Sequence, residues 1–209
     1  MLRSYDSVGR LDGLFEDDEV AYIRGVAAPS FSHFATRYTR HIVLVKNPPC
    51  FLMVDSFSSL PGINVSYEWN VHSAHPFDWD ESERRFEVVA PAQGVNERAG
   101  VAGRFLHEYT ATCGLSSGFY PEPIPTVSNL APADDYHLQF TLGLHYDELV
   151  LPVLLTPVAS QLEEVEVELG NRMAEVEANS GECTISWDDS SVTLEGRFGE
   201  ARIHGDSFS

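Results

Sequence analysis

The sequence predicts an all-β protein, an antiparallel β-sandwich with few or no helices. Three observations carry this reading. Apolar runs of strand length follow one another, turn residues separate them, and almost no stretch repeats its apolar residues at helical spacing. The exception is a weak helical pattern at Met173–Ala178.

The first run covers residues 21–26. The strongest covers 38–46, where His41-Ile42-Val43-Leu44-Val45 is nearly continuous apolar, as in a strand covered on both faces. Asn47-Pro48-Pro49 ends it, because neither proline offers an N–H to a ladder. Phe51-Leu52-Met53-Val54 resumes the apolar run and stops at Asp55, so the two runs read as a central hairpin. Residues 64–72 alternate: Val65, Tyr67, Trp69 and Val71 point into a core, and Ser66, Glu68, Asn70 and His72 point away from it.

Further strands are expected at 85–90, 103–110, 136–144 and 149–156, with Pro121, Pro123 and Pro125 marking a long irregular loop. Composition shifts after Pro157. Short strands are expected at 161–169 and 183–187, with a hairpin turn at Asp188-Asp189-Ser190-Ser191. The expected organisation is a sandwich over residues 1–160, with the short strands of 161–209 packing on it or extending it.

A chain of 209 residues buries enough surface to fold without disulfides or metal. Lys+Arg is 13 against Asp+Glu 32, a formal net charge of −19. Such a surface repels phosphate backbones and anionic headgroups, which argues against nucleic acid and membrane surfaces as partners, and it would repel an anionic polysaccharide as well unless arginines gather at one site. Lys46 is the only lysine. Codon usage in a GC-rich genome explains scarce lysine but not the acidic excess, so the balance reads as halophile-like. Cys50, Cys113 and Cys183 are widely spaced and form no CxxC pair, and Cys50 and Cys113 sit among apolar residues as expected buried thiols. No apolar run reaches the length of a membrane span, and the first 20 residues hold no signal-peptide core. As encoded, the chain reads as soluble and cytoplasmic, and a true N-terminus farther upstream would allow export.

Gly114-Leu115-Ser116-Ser117-Gly118 fits the G-x-S-x-G pattern, but the proline-rich segment after it cannot start the helix that a nucleophile elbow needs. His107-Glu108 lacks the second histidine of a zincin motif.

The hairpin is the most distinctive feature. Arg40, the apolar strand to Val45, Lys46, the proline turn, and Phe51-Leu52-Met53-Val54-Asp55 resemble a hairpin in the β-domain of heparinase II/III-family polysaccharide lyases. Tyr67-Glu68-Trp69-Asn70-Val71-His72 resembles that family's next strand, which ends in histidine, and residues 149–157 resemble its closing strand. The resemblance covers roughly residues 10–160 and implies the later, C-terminal-like part of such a β-domain. Family members of this kind carry a helical toroid that supplies an asparagine or histidine and a tyrosine for proton abstraction. They also carry a His-x-His-x-Asp stretch early in the β-domain. No position in this sequence matches either, so no catalytic residue carries over. The resemblance implies a β-sandwich portion acting on uronate-containing polysaccharide, inactive alone and dependent on a toroid-bearing partner chain. An open sheet edge could also pair two copies. The alternative is a non-catalytic carbohydrate-binding module.

Arg40 and Asp55 could face each other across the hairpin as a structural pair, or be separate strand-end charges. Glu68, Asn70 and His72 share a polar face that could grip a sugar, with Trp79 as an exposed ring beside them; a solvated outer face is the plainer alternative. His72, His75, Asp78 and Asp80 place nitrogen and carboxylate ligands at a spacing that could hold a divalent metal. A polar surface loop is the plainer reading there, and no cofactor is expected. His107 would join only if the fold brought it close.

Overall fold

A computed structural model describes residues 9–91, 98–107, 109–118, 135–143, 147–159 and 164–209. The proline-rich loop, Glu108 and the start of the 161–169 run lie outside the described residues. Among the described residues the fold is β-strand throughout, apart from one short 3-10 turn at Ala28–Phe31.

Strands β1 (Arg10–Glu16), β2 (Val20–Val26), β3 (Ala35–Val45) and β4 (Cys50–Ser59) form a meander. It continues into β11 (Glu148–Ala159), β8 (Arg98–Phe105), β7 (Arg85–Pro91) and β6 (Asp78–Asp80) to give an eight-stranded sheet in the order β1-β2-β3-β4-β11-β8-β7-β6. A three-stranded sheet orders β5 (Tyr67–Ser73), β10 (Tyr136–Leu142) and β9 (Ala111–Ser117). The remaining six strands form a second meander: β12 (Glu166–Gly170), β13 (Met173–Ala178), β14 (Gly181–Trp187), β15 (Ser191–Gly196), β16 (Gly199–His204) and β17 (Ser207–Phe208).

The eight-stranded sheet is the middle layer. Val150 and Leu154 of β11 join Leu52 and Val54 in a core shared with Val176, Ile185 and Leu194 of the six-stranded sheet. Leu149, Leu151 and Val153 point the other way, into a core shared with Trp69, Leu138 and Phe140 of the three-stranded sheet. This explains the unbroken apolar run of β11: a strand covered on both faces needs apolar side chains at every position. The strand also tolerates Pro152 and Pro157. Pro152 turns its polar backbone edge towards β8, where regular pairing begins only at Val153 and Leu106 closes the ladder by donating its N–H to the Pro152 carbonyl. By alternation Pro157 faces β4, whose pairing ends at Leu155 opposite Phe51. Neither missing N–H costs a ladder bond.

The smaller sheet covers only part of its face. Near the proline turn that face is less covered: Phe51 is 44% exposed, and its β3 neighbours Ile42 and Leu44 are only half-buried. Close packing pins β7 against β8: a Cβ on Gly103 would lie 2.0 Å from the ring of Phe86, itself 1% exposed. The six-stranded sheet is latched to β2 and β3 through the turn before β17. His41, fully buried, accepts from the Tyr22 hydroxyl through Nδ1 and donates through Nε2 to the Gly205 carbonyl, both at 2.9 Å. Thr39 donates to Asp206 at 2.5 Å, Arg24 donates to the Asp206 carbonyl, and the Phe208 ring stacks on Tyr22 at 3.9 Å. Burial pushes the His41 pKa down, so the ring is neutral.

Several expectations need correction. Met173–Ala178 is strand, not helix: Ala174 and Val176 are buried while Glu175 and Glu177 are exposed, and ladders on both sides override the helix preference of Met, Ala and Glu. The strand expected over 103–110 ends at Phe105. The stretch around Asp78, read as loop, holds the short edge strand β6. Cys50 and Cys183 are buried, but Cys113 is only half-buried. Burial raises the Cys113 thiol to about 11 and the Cys183 thiol to about 12. No helix among the described residues is long and apolar enough to cross a membrane.

Candidate functional site

The alternation read in residues 64–72 holds. Tyr67 and Trp69 are buried, while Glu68, Asn70 and His72 are exposed on the outer face of the three-stranded sheet. Antiparallel register then sets their neighbours. Glu68 lies opposite Thr141, Asn70 opposite Gln139 and His72 opposite His137. On the far side of β10, Thr141 faces Thr112, Gln139 faces Gly114 and His137 faces Ser116. The result is a polar platform three strands wide, with Gln139 at its centre, Gly114 beside it on β9, and Gln139 donating to Glu68 at 3.0 Å. None of these positions is arginine, lysine or tyrosine.

Trp79 does not sit on this platform. It is half-buried beneath it, edge-on to Phe105 with ring centroids 6.1 Å apart and tilted against Phe140 at 6.3 Å. Strand β6 aims it into the core between the layers, so it cannot stack on a sugar held beside Glu68, Asn70 and His72.

The residues expected to hold a metal are divided. Among the described residues, the one group of three potential ligands whose donor atoms all lie within 4.8 Å is His72, Asp135 and His137. His75 and Asp78 are not part of it. The Ser73 hydroxyl accepts from the His75 backbone N–H at 3.0 Å, and Asp78 belongs to β6. Asp80 organises its own turn by accepting from Ser82 and Glu83, which lowers its pKa. His107 stacks face to face on Tyr109 at 3.5 Å, away from the group.

Arg40 and Asp55 form the pair that the hairpin suggested. They are direct partners in the β3–β4 register, and the guanidinium holds both carboxylate oxygens, Nε to Oδ1 at 2.6 Å and Nη2 to Oδ2 at 2.7 Å. The sequence did not reveal the third member. Tyr67, read only as core, donates its hydroxyl to Asp55 Oδ2 at 2.5 Å. Its pKa is raised well above the usual phenol value by burial and by the neighbouring carboxylate. Asp55 is 1% exposed, so its carboxylate clamps the large and small sheets together from within, while the Arg40 guanidinium keeps an open side.

No family model and no curated protein matches the chain. The fold does match solved structures, and the class it defines is the antiparallel β-sandwich. A mutant of heparan sulfate lyase HepC from Pedobacter heparinus superposes with a TM-score of 0.56 at 10% identity, covering 86% of this chain and 28% of that one. A second HepC structure from that organism gives 0.53 at 10% identity over 95% of this chain and 28% of that one. A heparinase III gene product gives 0.52 at 9% identity over 93% and 27%. The chain has the heparinase III-like β-sandwich fold and spans a little over a quarter of the length of these lyases.

Proposed function

We propose that this chain is the β-sandwich portion of a heparinase II/III-like polysaccharide lyase, that it contacts a uronate-containing polysaccharide through the outer face of the three-stranded sheet, and that these residues alone do not cleave it. The observation that carries the reading is the shared fold together with the Arg40–Asp55 hairpin, set where the sequence resemblance put it. Elimination from a uronate needs a group to neutralise the carboxylate, a base for the C5 proton and an acid for the leaving oxygen. The platform offers imidazoles and amides, but neither a tyrosine nor a guanidinium. Seven described arginines, including Arg40, Arg24 and Arg104, are paired with carboxylates elsewhere. The missing chemistry would come from a toroid-bearing partner.

The test is to incubate the purified chain with heparan sulfate and with alginate and to follow unsaturated uronate ends. None should form, and their appearance would overturn the proposal that these residues are silent alone. A second reading, a carbohydrate-binding module, is favoured by the polar, largely exposed outer face of the platform. Retention on neutral glycans as strong as on uronate polymers would select it.

A further inference from the structure

We propose that His72, Asp135 and His137 form a binding site for a transition-metal dication, with Zn2+ the best match. The proposal stands whether or not the lyase reading does, because it rests on the geometry of three side chains.

The site is built by register. His72 near the end of β5 and His137 near the start of β10 are direct cross-strand partners on one face. Opposed residues on one face of a ladder hold their Cβ atoms about 5 Å apart, which lets both imidazoles reach one ion. Their ring centroids are 4.0 Å apart at an interplanar angle of 61°, so the nitrogens converge without stacking. Asp135, one residue before β10, supplies the third donor: its Oδ2 lies 2.9 Å from His137 Nε2 and 3.4 Å from His72 Nδ1.

The donor set is two imidazole nitrogens and one carboxylate oxygen, the composition of three-ligand zinc sites that leave a fourth position open. Magnesium and calcium prefer all-oxygen shells, so the chemistry selects a borderline metal. Spacing agrees. Ligands about 2.0–2.1 Å from a tetrahedral ion lie about 3.3 Å from one another, and the two observed separations bracket that edge. The carboxylate side chain is 9% exposed and that of His72 is 54% exposed, so the anion is fixed in place while one side stays open for entry and for a fourth ligand. An ion here would tie β5 to the start of β10 and stabilise the small sheet by mass action.

The experiment is calorimetric titration of the EDTA-stripped, tag-free chain with ZnCl2, with thermal unfolding measured in parallel. One equivalent should bind at micromolar affinity or tighter and raise Tm. Loss of an outer-shell partner alone costs zinc sites 10–100-fold. His72→Gln and His137→Gln, both polar exchanges on the outer face, should therefore each weaken binding by about a hundredfold or more while the circular dichroism stays unchanged. Asp135→Asn should act likewise, but it alters a buried group and is read only alongside the histidine variants. His75→Gln should bind as the parent does. No Zn2+ uptake, or uptake that survives both histidine substitutions, would overturn the proposal. So would uptake lost in His75→Gln and kept in His137→Gln, which would move the site to the 72–80 segment.

Discussion

Arg40 and Asp55 meet across the β3–β4 ladder with both guanidinium–carboxylate bonds made, and Tyr67 of the small sheet closes the arrangement by donating to the same carboxylate. The carboxylate is almost fully enclosed while the guanidinium keeps an open side, its side chain 37% exposed. The two partners are therefore not equivalent. Removing the arginine strands a buried anion, whereas removing the aspartate leaves a cation that can turn towards water.

Arg40→Met should destabilise the fold by about 3–5 kcal/mol, and Asp55→Asn by less, about 2 kcal/mol. The double variant should fall short of the sum, because the stranded charge is gone. Urea unfolding of the three proteins checks this. Equal costs for the two single changes would contradict the clamp.

Gly103→Ala places a methyl group against the ring of Phe86, which has no room to withdraw. The expected cost is about 1–3 kcal/mol, from overpacking in a closed core. Gly114→Ala meets nothing closer than 4.0 Å and should be near neutral. A comparison of their urea midpoints gives the answer.

His41 sets part of the acid sensitivity. Burial holds its pKa below the ordinary 6.5, so below that pH the unfolded chain binds a proton that the folded chain does not. Stability from this group is present above about pH 6.5 and is lost as pH falls towards the depressed folded value. His41→Gln should be less stable at pH 7, through the lost bonds to Tyr22 and Gly205, yet should lose less further stability between pH 6.5 and 5. An unchanged slope would mean that other groups carry the acid dependence.

A net charge of −19 on 209 residues makes self-repulsion the dominant long-range term. Raising KCl from 0.1 to 1 M shortens the Debye length from about 10 to about 3 Å. Tm should rise over that range, despite some weakening of exposed pairs such as Lys46 with Glu16. A falling Tm would show that those pairs outweigh the repulsion.

Strand β11 was legible in the sequence because two layers cover it and its apolar run is unbroken, and β5 because one layer covers it and it alternates. The apolar runs of β3 and β4 were legible as strands, but β3 is enclosed on one face only: Val43 and Val45 are buried while Ile42 and Leu44 are half-buried. Strand β1 was not, since six of its seven residues are exposed and no buried face leaves a pattern. Strand β13 hid behind helix-forming residues that neighbouring ladders overrule. Trp79 looked like a surface ring because acidic residues flank it, and only the pairing of β6 with β7 turns it inward. The polar face of β5 was visible at Glu68, Asn70 and His72, but its completion was not. His137 and Asp135 lie more than 60 residues from His72, and nothing short of the β5–β10 register brings them together. Tyr67 escaped as a member of the clamp for a related reason: alternation reports that a side chain is buried, not what its hydroxyl meets.

Whether the outer face of the three-stranded sheet grips a polysaccharide is read by affinity electrophoresis of the purified chain through gels containing heparan sulfate, alginate or a neutral glucan, comparing the parent with Asn70→Ala and His72→Ala. A uronate polymer should retard the parent, less so both variants, and the glucan should retard none of them much. Free migration through every polysaccharide, or retardation indifferent to both substitutions, would contradict that grip.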